Sequence, residues 1–232
     1  MKFQEKLLDS FIAFEHDIDL LNPIHTDRKD ALKRFEKQGF PSKKDESWKY
    51  TSLKSIIQKN YSLSSKSDKS VELRDVKEYF LNDLDSFKIV FVDGIYSPFL
   101  SKTTHDGMDI CVLSAALSKE KYNSTLKKYF NQIVPKDESL ASLNTSYTKE
   151  GAYIYIPKGV CPEDPIQIMH ISTGNQESIW LQPRNLVIAD KNAKVEIIER
   201  HQSLKDHSVV TNSLTEIYAE KNAFIDYYKI QN

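Results

Sequence analysis

The chain has 232 residues, 40% hydrophobic and 28% charged, with 32 basic against 33 acidic side chains. A net charge of −1 gives no general field toward nucleic acid or an anionic membrane, and two cysteines, Cys111 and Cys161, are too few for a secreted disulfide scaffold and form no Cys-x-x-Cys motif. The charged start, Met1-Lys2-Phe3-Gln4-Glu5-Lys6, lacks a signal peptide's apolar core, and no apolar run approaches the ~18 residues of a membrane span, so a cytoplasmic setting is expected.

Phe3, Leu7, Leu8, Phe11, Phe14, Ile18 and Leu21 recur at three- and four-residue spacing and predict an amphipathic helix, ended by Asn22-Pro23. Thr26 or Asp27 caps a second helix carrying Ala31, Leu32 and Phe35, with Gly39 at its C-terminal cap and Pro41 beyond. Trp48 and Tyr50 then stand among Lys43, Lys44 and Lys49. Interleaved lysines and rings are one pattern of single-stranded nucleic-acid binding. Without a net positive charge, a tryptophan packed on the helix pair with lysines in water is the preferred expectation. Residues 62–70 have little to bury and read as a flexible loop. A short helix follows, with Val76, Tyr79, Phe80 and, at its margin, Leu84 turned inward. Lys88 to Val92 reads as a strand, Asp93-Gly94 as a hairpin turn whose central positions both need positive φ, and Ile95-Tyr96 as the return. Asp109 to Leu113 is another β-run and Tyr122 to Val134 has helical spacing, so residues 1–135 read as an N-terminal helical, α+β domain.

The composition changes at Pro135-Lys136-Asp137-Glu138. From there to residue 232, strand patterns follow one another with no amphipathic helix between 143 and 232. Tyr153 to Ile156 and Ile166 to Ile171 alternate as strands, separated by Pro157, Gly159 and an insertion at Cys161 to Pro165. Two clearer copies of the pattern run from Val187 to Glu199 and from Ile217 to Lys229, with Lys191-Asn192-Ala193 returning as Lys221-Asn222-Ala223. A period in the range of ~20–50 residues signals a repeat architecture. Strands without crossover helices point to a mainly β fold, with a parallel β-helix (solenoid) over residues 136–232.

Gly39-Phe40-Pro41 followed by Asp45 through Leu53 resembles the N-terminal signature of the SufB/SufD family of the SUF iron–sulfur cluster assembly system. Trp48, Lys49, Tyr50 and Thr51 point to its SufD branch. Phe91-Val92-Asp93-Gly94, Leu143-Asn144-Thr145, Gly151 through Gly159 with Pro165-Ile166, Pro183-Arg184-Asn185 and Glu199 occur in the family's order. The resemblance implies a right-handed β-helix after the N-terminal domain. It also implies a non-catalytic scaffold subunit, partnered by a SufB-like protein and a SufC-like ABC ATPase, that supports cluster assembly and iron acquisition. The iron–sulfur cluster is then handled by the full complex, and no cofactor is expected in this chain. Family members are longer, and this sequence stops within a β-run at Asn232, so it reads as an N-terminal portion, with cluster ligands expected beyond that residue. An uncapped edge near Tyr227 predicts homodimer formation. There is no Walker A sequence, no Gly-x-Gly-x-x-Gly and no Gly-x-Ser-x-Gly elbow, which agrees with a scaffold that borrows an ATPase.

Cys161 and His170 offer a thiolate and an imidazole to iron or zinc, but a third ligand at recognisable spacing is missing. His201 and His207 share the segment Glu199 to His207, whose two imidazoles and acids could bind a metal, while a solvated connection between copies is the preferred expectation. Cys111 reads as an inert strand residue, and His16, His25 and His105 have no partners in sequence. The rival function is a carbohydrate-active β-helix protein using Glu196 and Asp226, which hold equivalent places in the two copies.

Overall fold

The structure, a computed structural model, describes residues 3–18, 22, 24–63, 71–81, 86–104, 107–175 and 178–232. Leu21, Pro23, Leu84, His105 and residues 64–70 of the expected loop lie outside the described residues. Helix α1 (Phe3–His16) buries Phe3, Leu7 and Phe11 at four-residue intervals, one face of a 3.6-residue period. Helix α2 (Ile24–Gln38) begins earlier than expected: the Ile24 amide donates to Asn22 Oδ1 (3.1 Å), so Asn22 caps it in place of Thr26 or Asp27. It ends as the sequence suggests, with Gly39 at φ 71° donating its amide to Phe35 O across 2.7 Å.

Helices α3 (Lys54–Ile57) and α4 (Leu73–Val76) are single turns. Strands β1 (Phe87–Val92) and β2 (Ile95–Tyr96) form the expected hairpin, with Asp93 at φ 47° and Gly94 at φ 79°. Strand β3 (Asp109–Val112), helix α5 (Leu113–Leu117) and helix α6 (Asn123–Tyr129) follow. Helix α7 (Ser139–Ser146) lies where no helix was expected and packs on α2, with Arg28 Nε and Nη2 donating to Thr148 O at 3.0 and 2.7 Å.

The remaining strands are β4 (Ala152–Ile156), β5 (Ile166–Ser172), β6 (Ile179–Leu181), β7 (Arg184–Ala189), β8 (Lys194–Ser203), β9 (Val209–Thr211), β10 (Leu214–Ala219) and β11 (Phe224–Gln231). The repeat fixes neighbours directly: Ile217 of β10 lies opposite Val187 of β7, and Tyr227 of β11 opposite Ile197 of β8, both parallel. Each copy places a left-handed asparagine at its turn, Asn192 (φ 60°) and Asn222 (φ 59°), and Asn222 Nδ2 donates to Asn192 Oδ1 (3.2 Å).

The expected mainly β, right-handed parallel β-helix (solenoid) is corrected by these sheets. The strands form a five-stranded sheet in the order β11-β8-β5-β1-β2, a four-stranded sheet β10-β7-β4-β3 and the pair β6-β9. The two larger sheets are mixed, because β2 and β3 join antiparallel. Among the described residues helix accounts for 31% and strand for 29%, an α/β fold. The physical reason is that a repeat specifies only which strands of successive copies lie side by side. Strands outside the repeat, β1 to β3, complete the sheets in either direction, and helices cover their faces.

The core lies between the two larger sheets, where Ile89 and Phe91 of β1, Ile166 and Ile168 of β5 and Ile197 of β8 meet Ile154 of β4 and Val187 of β7. The outer face of the four-stranded sheet is covered by α5 and α6, through Leu113, Ala116 and Leu126 on Tyr153 and Ile188. The outer face of the five-stranded sheet is covered by Val76, Phe80 and Leu100. Burial on both faces accounts for the near-continuous apolar runs of these strands. Each fully buried large side chain contributes about 1.5–3 kcal/mol.

Candidate functional site

The apolar inner face of the five-stranded sheet becomes polar toward the ends of its strands. Phe91, His170 and His201 lie opposite one another in register across β1, β5 and β8, and their rings stack, Phe91 on His170 at 5.0 Å and His170 on His201 at 4.6 Å between centroids. Period-two alternation places Glu199 on the same face as His201. The His201 Nε2–H donates to Glu199 Oε1 (2.6 Å), and His170 Nε2 stands 4.0 Å from the same oxygen. From β11, the Tyr227 hydroxyl donates to Glu199 Oε2, and Lys229 Nζ lies 3.3 Å from Oε1.

Burial, reinforced by the neighbouring His201, pushes the His170 imidazole down to about 3 and keeps it neutral. Burial alone would raise Glu199. The His201 and Tyr227 hydrogen bonds and the Lys229 charge outweigh it and hold the carboxylate ionised, below its usual range. Burial and Glu199 raise the Tyr227 hydroxyl, which stays protonated.

Of the residues singled out from sequence, His170 and His201 come together and Cys161 and His207 do not join them. Cys161 is exposed in the turn ahead of β5, with Sγ 3.9 Å from Gly159 O and 4.0 Å from Asn192 O. His207 Nε2 bonds Ser172 Oγ (2.7 Å). Cys111 sits half-buried in β3, its thiol pKa raised by burial. Trp48 is half-buried in a short 3-10 turn (Glu46–Trp48), Lys49 and Thr51 are exposed, and the Tyr50 ring is 91% exposed, with Lys49 Nζ 5.6 Å from its centroid. Glu196 and Asp226 face each other directly across β8 and β11, and both are exposed. The sequence sets Glu199 in one segment with His201, but it does not bring His170, Tyr227 or Lys229 to that pair. The signal lies in the alternation Ile197, Glu199, His201, which continues β8 into the segment expected to be a connection.

A second buried polar group holds β7 to β10. Arg184 Nη2 donates to Glu216 Oε2 (2.6 Å), and the Glu216 carboxylate also accepts the Asn131 and Gln132 amides at 2.9 and 3.2 Å. Burial lowers the Arg184 pKa, and Glu216 opposes that shift. Asn185 Oδ1 accepts the Ala152 amide (2.9 Å), tying β7 to β4. Pro183-Arg184-Asn185 therefore acts in the fold.

A cleft of about 850 Å³ opens beside His170, lined among others by Lys6, Tyr61, Phe91, Glu150 and Trp180. Burial raises the Glu150 carboxyl above its usual range, partly offset by Ser114 Oγ, which donates to it at 3.1 Å. A raised folded pKa favours the folded state at low pH, and that advantage is lost as pH rises past about 4.5 and through the raised value. Glu150→Gln is expected to lack this loss. The gap in urea midpoint between variant and parent should widen in the variant's favour from pH 5 to pH 7.5, and an unchanged gap would contradict the assignment.

Residues 1–168 match the family model described as the SufBD protein N-terminal region, and residues 170–232 match the SUF system FeS cluster assembly, SufBD core domain. An iron–sulfur cluster assembly SufBD family protein of Synechocystis is 25% identical over 199 residues, covering 82% of this chain and 44% of its own length. The iron–sulfur cluster assembly protein SufD of Escherichia coli is 27% identical over 202 residues, covering 86% and 44%. A SufBD family protein of Guillardia theta is 30% identical over 190 residues, covering 74% and 38%. The chain spans less than half the length of these curated relatives.

Proposed function

The chain belongs to the SufBD family, and on that premise we propose that it acts in iron–sulfur cluster assembly as a non-catalytic scaffold of the SUF system. Its partners in this reading are a SufB-like protein and a SufC-like ABC ATPase, and the setting is the cytoplasm. ATP is hydrolysed by the ATPase, while this chain offers a rigid surface on which clusters, as cargo, are built and iron is gathered. The observation that carries the reading is the pair of adjoining family models across residues 1–168 and 170–232. The E. coli relative named SufD supports the choice of branch. Among the described residues no helix is long and apolar enough to cross a membrane.

The test is anaerobic affinity purification of the full-length protein from its own cells. An ABC-type ATPase and a second SufBD protein are expected to co-elute in fixed proportion. Recovery of the protein without either would remove the scaffold reading. The carbohydrate-active alternative gains no support from Glu196 and Asp226. Two like charges directly opposite on an exposed face repel one another and enclose no sugar.

A further inference from the structure

We propose that His170, Glu199 and His201 form a binding site for one divalent first-row transition cation of the zinc or ferrous class. The inference stands on side-chain geometry and does not depend on the family role. One ligand atom from each residue lies within 4.8 Å of the other two; Glu199 and His170 are buried, and the His201 side chain is 11% exposed. A tetrahedral ion with bonds of ~2.0–2.1 Å holds its ligands about 3.3 Å apart. The 2.6 Å His201–Glu199 pair opens and the 4.0 Å His170–Glu199 pair closes, each by less than about 1 Å. Rotation of the imidazoles out of their stacked arrangement turns both Nε2 atoms toward the ion. The His201 Nε2 proton, now given to Glu199, passes to Nδ1 or to solvent.

A second observation points to a ligand. The His170 side chain is 6% exposed, and its Nε2 has no hydrogen-bond partner among the described residues although it faces Glu199. A bound cation would take that lone pair. The carboxylate already attracts a cation, Lys229 Nζ, whose side chain is 33% exposed and also donates to Ser213 Oγ at 2.7 Å, a second anchor that can hold the ammonium aside when an ion arrives. Tyr227 fixes the other carboxylate oxygen, the outer-shell hydrogen bond that ligating carboxylates commonly have. A smaller cleft of about 330 Å³, lined by Gly94, Ser172, Thr211 and Gln231 with both histidines, gives a route in from solvent. The donor set contains no thiolate, and two imidazoles with one carboxylate suit a borderline cation and leave further positions open.

The test is titration of the metal-free full chain with Co2+, followed by displacement with Zn2+. One equivalent of Co2+ is expected, with visible d–d bands that Zn2+ abolishes. His170→Phe keeps a ring against Phe91 and should stay folded while losing affinity by more than about 100-fold. Tyr227→Phe should weaken binding by about 10–100-fold. Cys161→Ser should leave binding unchanged. With 15N-labelled histidine, Zn2+ should shift two of the six imidazoles. No bands from folded parent protein, full affinity in His170→Phe, or loss of binding in Cys161→Ser would each overturn the proposal.

Discussion

Glu216→Ala is expected to lower stability by about 3–5 kcal/mol, because it strands a charge that has nowhere to go. Arg184 and Glu216 are 0% and 1% exposed and meet at 2.6 Å. The guanidinium cannot escape by losing its proton. Its remaining polar neighbours, Asn144 Oδ1 at 3.4 Å, Thr145 Oγ1 at 3.2 Å and Asn131 Oδ1 at 3.3 Å, are neutral. The Asn131 and Gln132 amides lose their acceptor in the same step. The double variant Arg184→Met/Glu216→Leu removes the stranded charge and should be less destabilised than Glu216→Ala alone. Guanidinium chloride denaturation of both proteins reads the difference. A loss below about 1 kcal/mol in the single variant would mean that the pair does not hold β7 against β10.

Gly151→Ala should be still more damaging. An added Cβ would lie 1.8 Å from Arg184 O and 2.8 Å from Arg184 N, both backbone atoms. That backbone is pinned, since the Arg184 amide donates to Glu150 O (3.0 Å) and Gly151 O accepts the Leu113 amide (2.7 Å). Relief would require breaking sheet hydrogen bonds on both sides. The expected loss exceeds about 4–5 kcal/mol, enough to prevent accumulation of folded protein. Gly159→Ala is the control: its Cβ meets nothing within 4 Å, and the cost of φ +74° alone is about 1–2 kcal/mol. Soluble yield and circular dichroism would decide, and a folded Gly151→Ala with near-parental Tm would refute the close-contact argument.

What the sequence discloses of this fold follows from the range of each interaction. Three- and four-residue spacing announces α1, and Asp93-Gly94 announces the hairpin, since both are local. The recurrence of Lys191-Asn192-Ala193 announces which strands lie side by side, because identical turns stack in register. It does not announce how many sheets result, or that β2 and β3 close two of them antiparallel. Helix α7 escapes notice because Leu143 is its only buried large apolar side chain, and its place is fixed by α2 and Arg28. The three-residue strands β6 and β9 are too short to show a period. At the site, His170 and His201 were visible as residue types. Their stacking depends on the register of β5 against β8, and Glu199 joins them only because β8 runs on to Ser203.

The ring cluster around Trp180 has an optical consequence. Trp180 of β6 is 3% exposed, with Phe3, Tyr61 and Phe40 centred at 5.3, 5.7 and 5.8 Å. The chain has two tryptophans, and the other, Trp48, is half-buried. In a Trp48→Phe background, fluorescence therefore comes from a single indole in an apolar cage that Phe3 of α1 helps to close. Withdrawal of α1 would wet that indole and move its emission to longer wavelength while the sheets stay intact. The fold thus carries its own lamp for watching the first helix leave its seat, distinguishable from global unfolding by a far-ultraviolet signal that does not change with it.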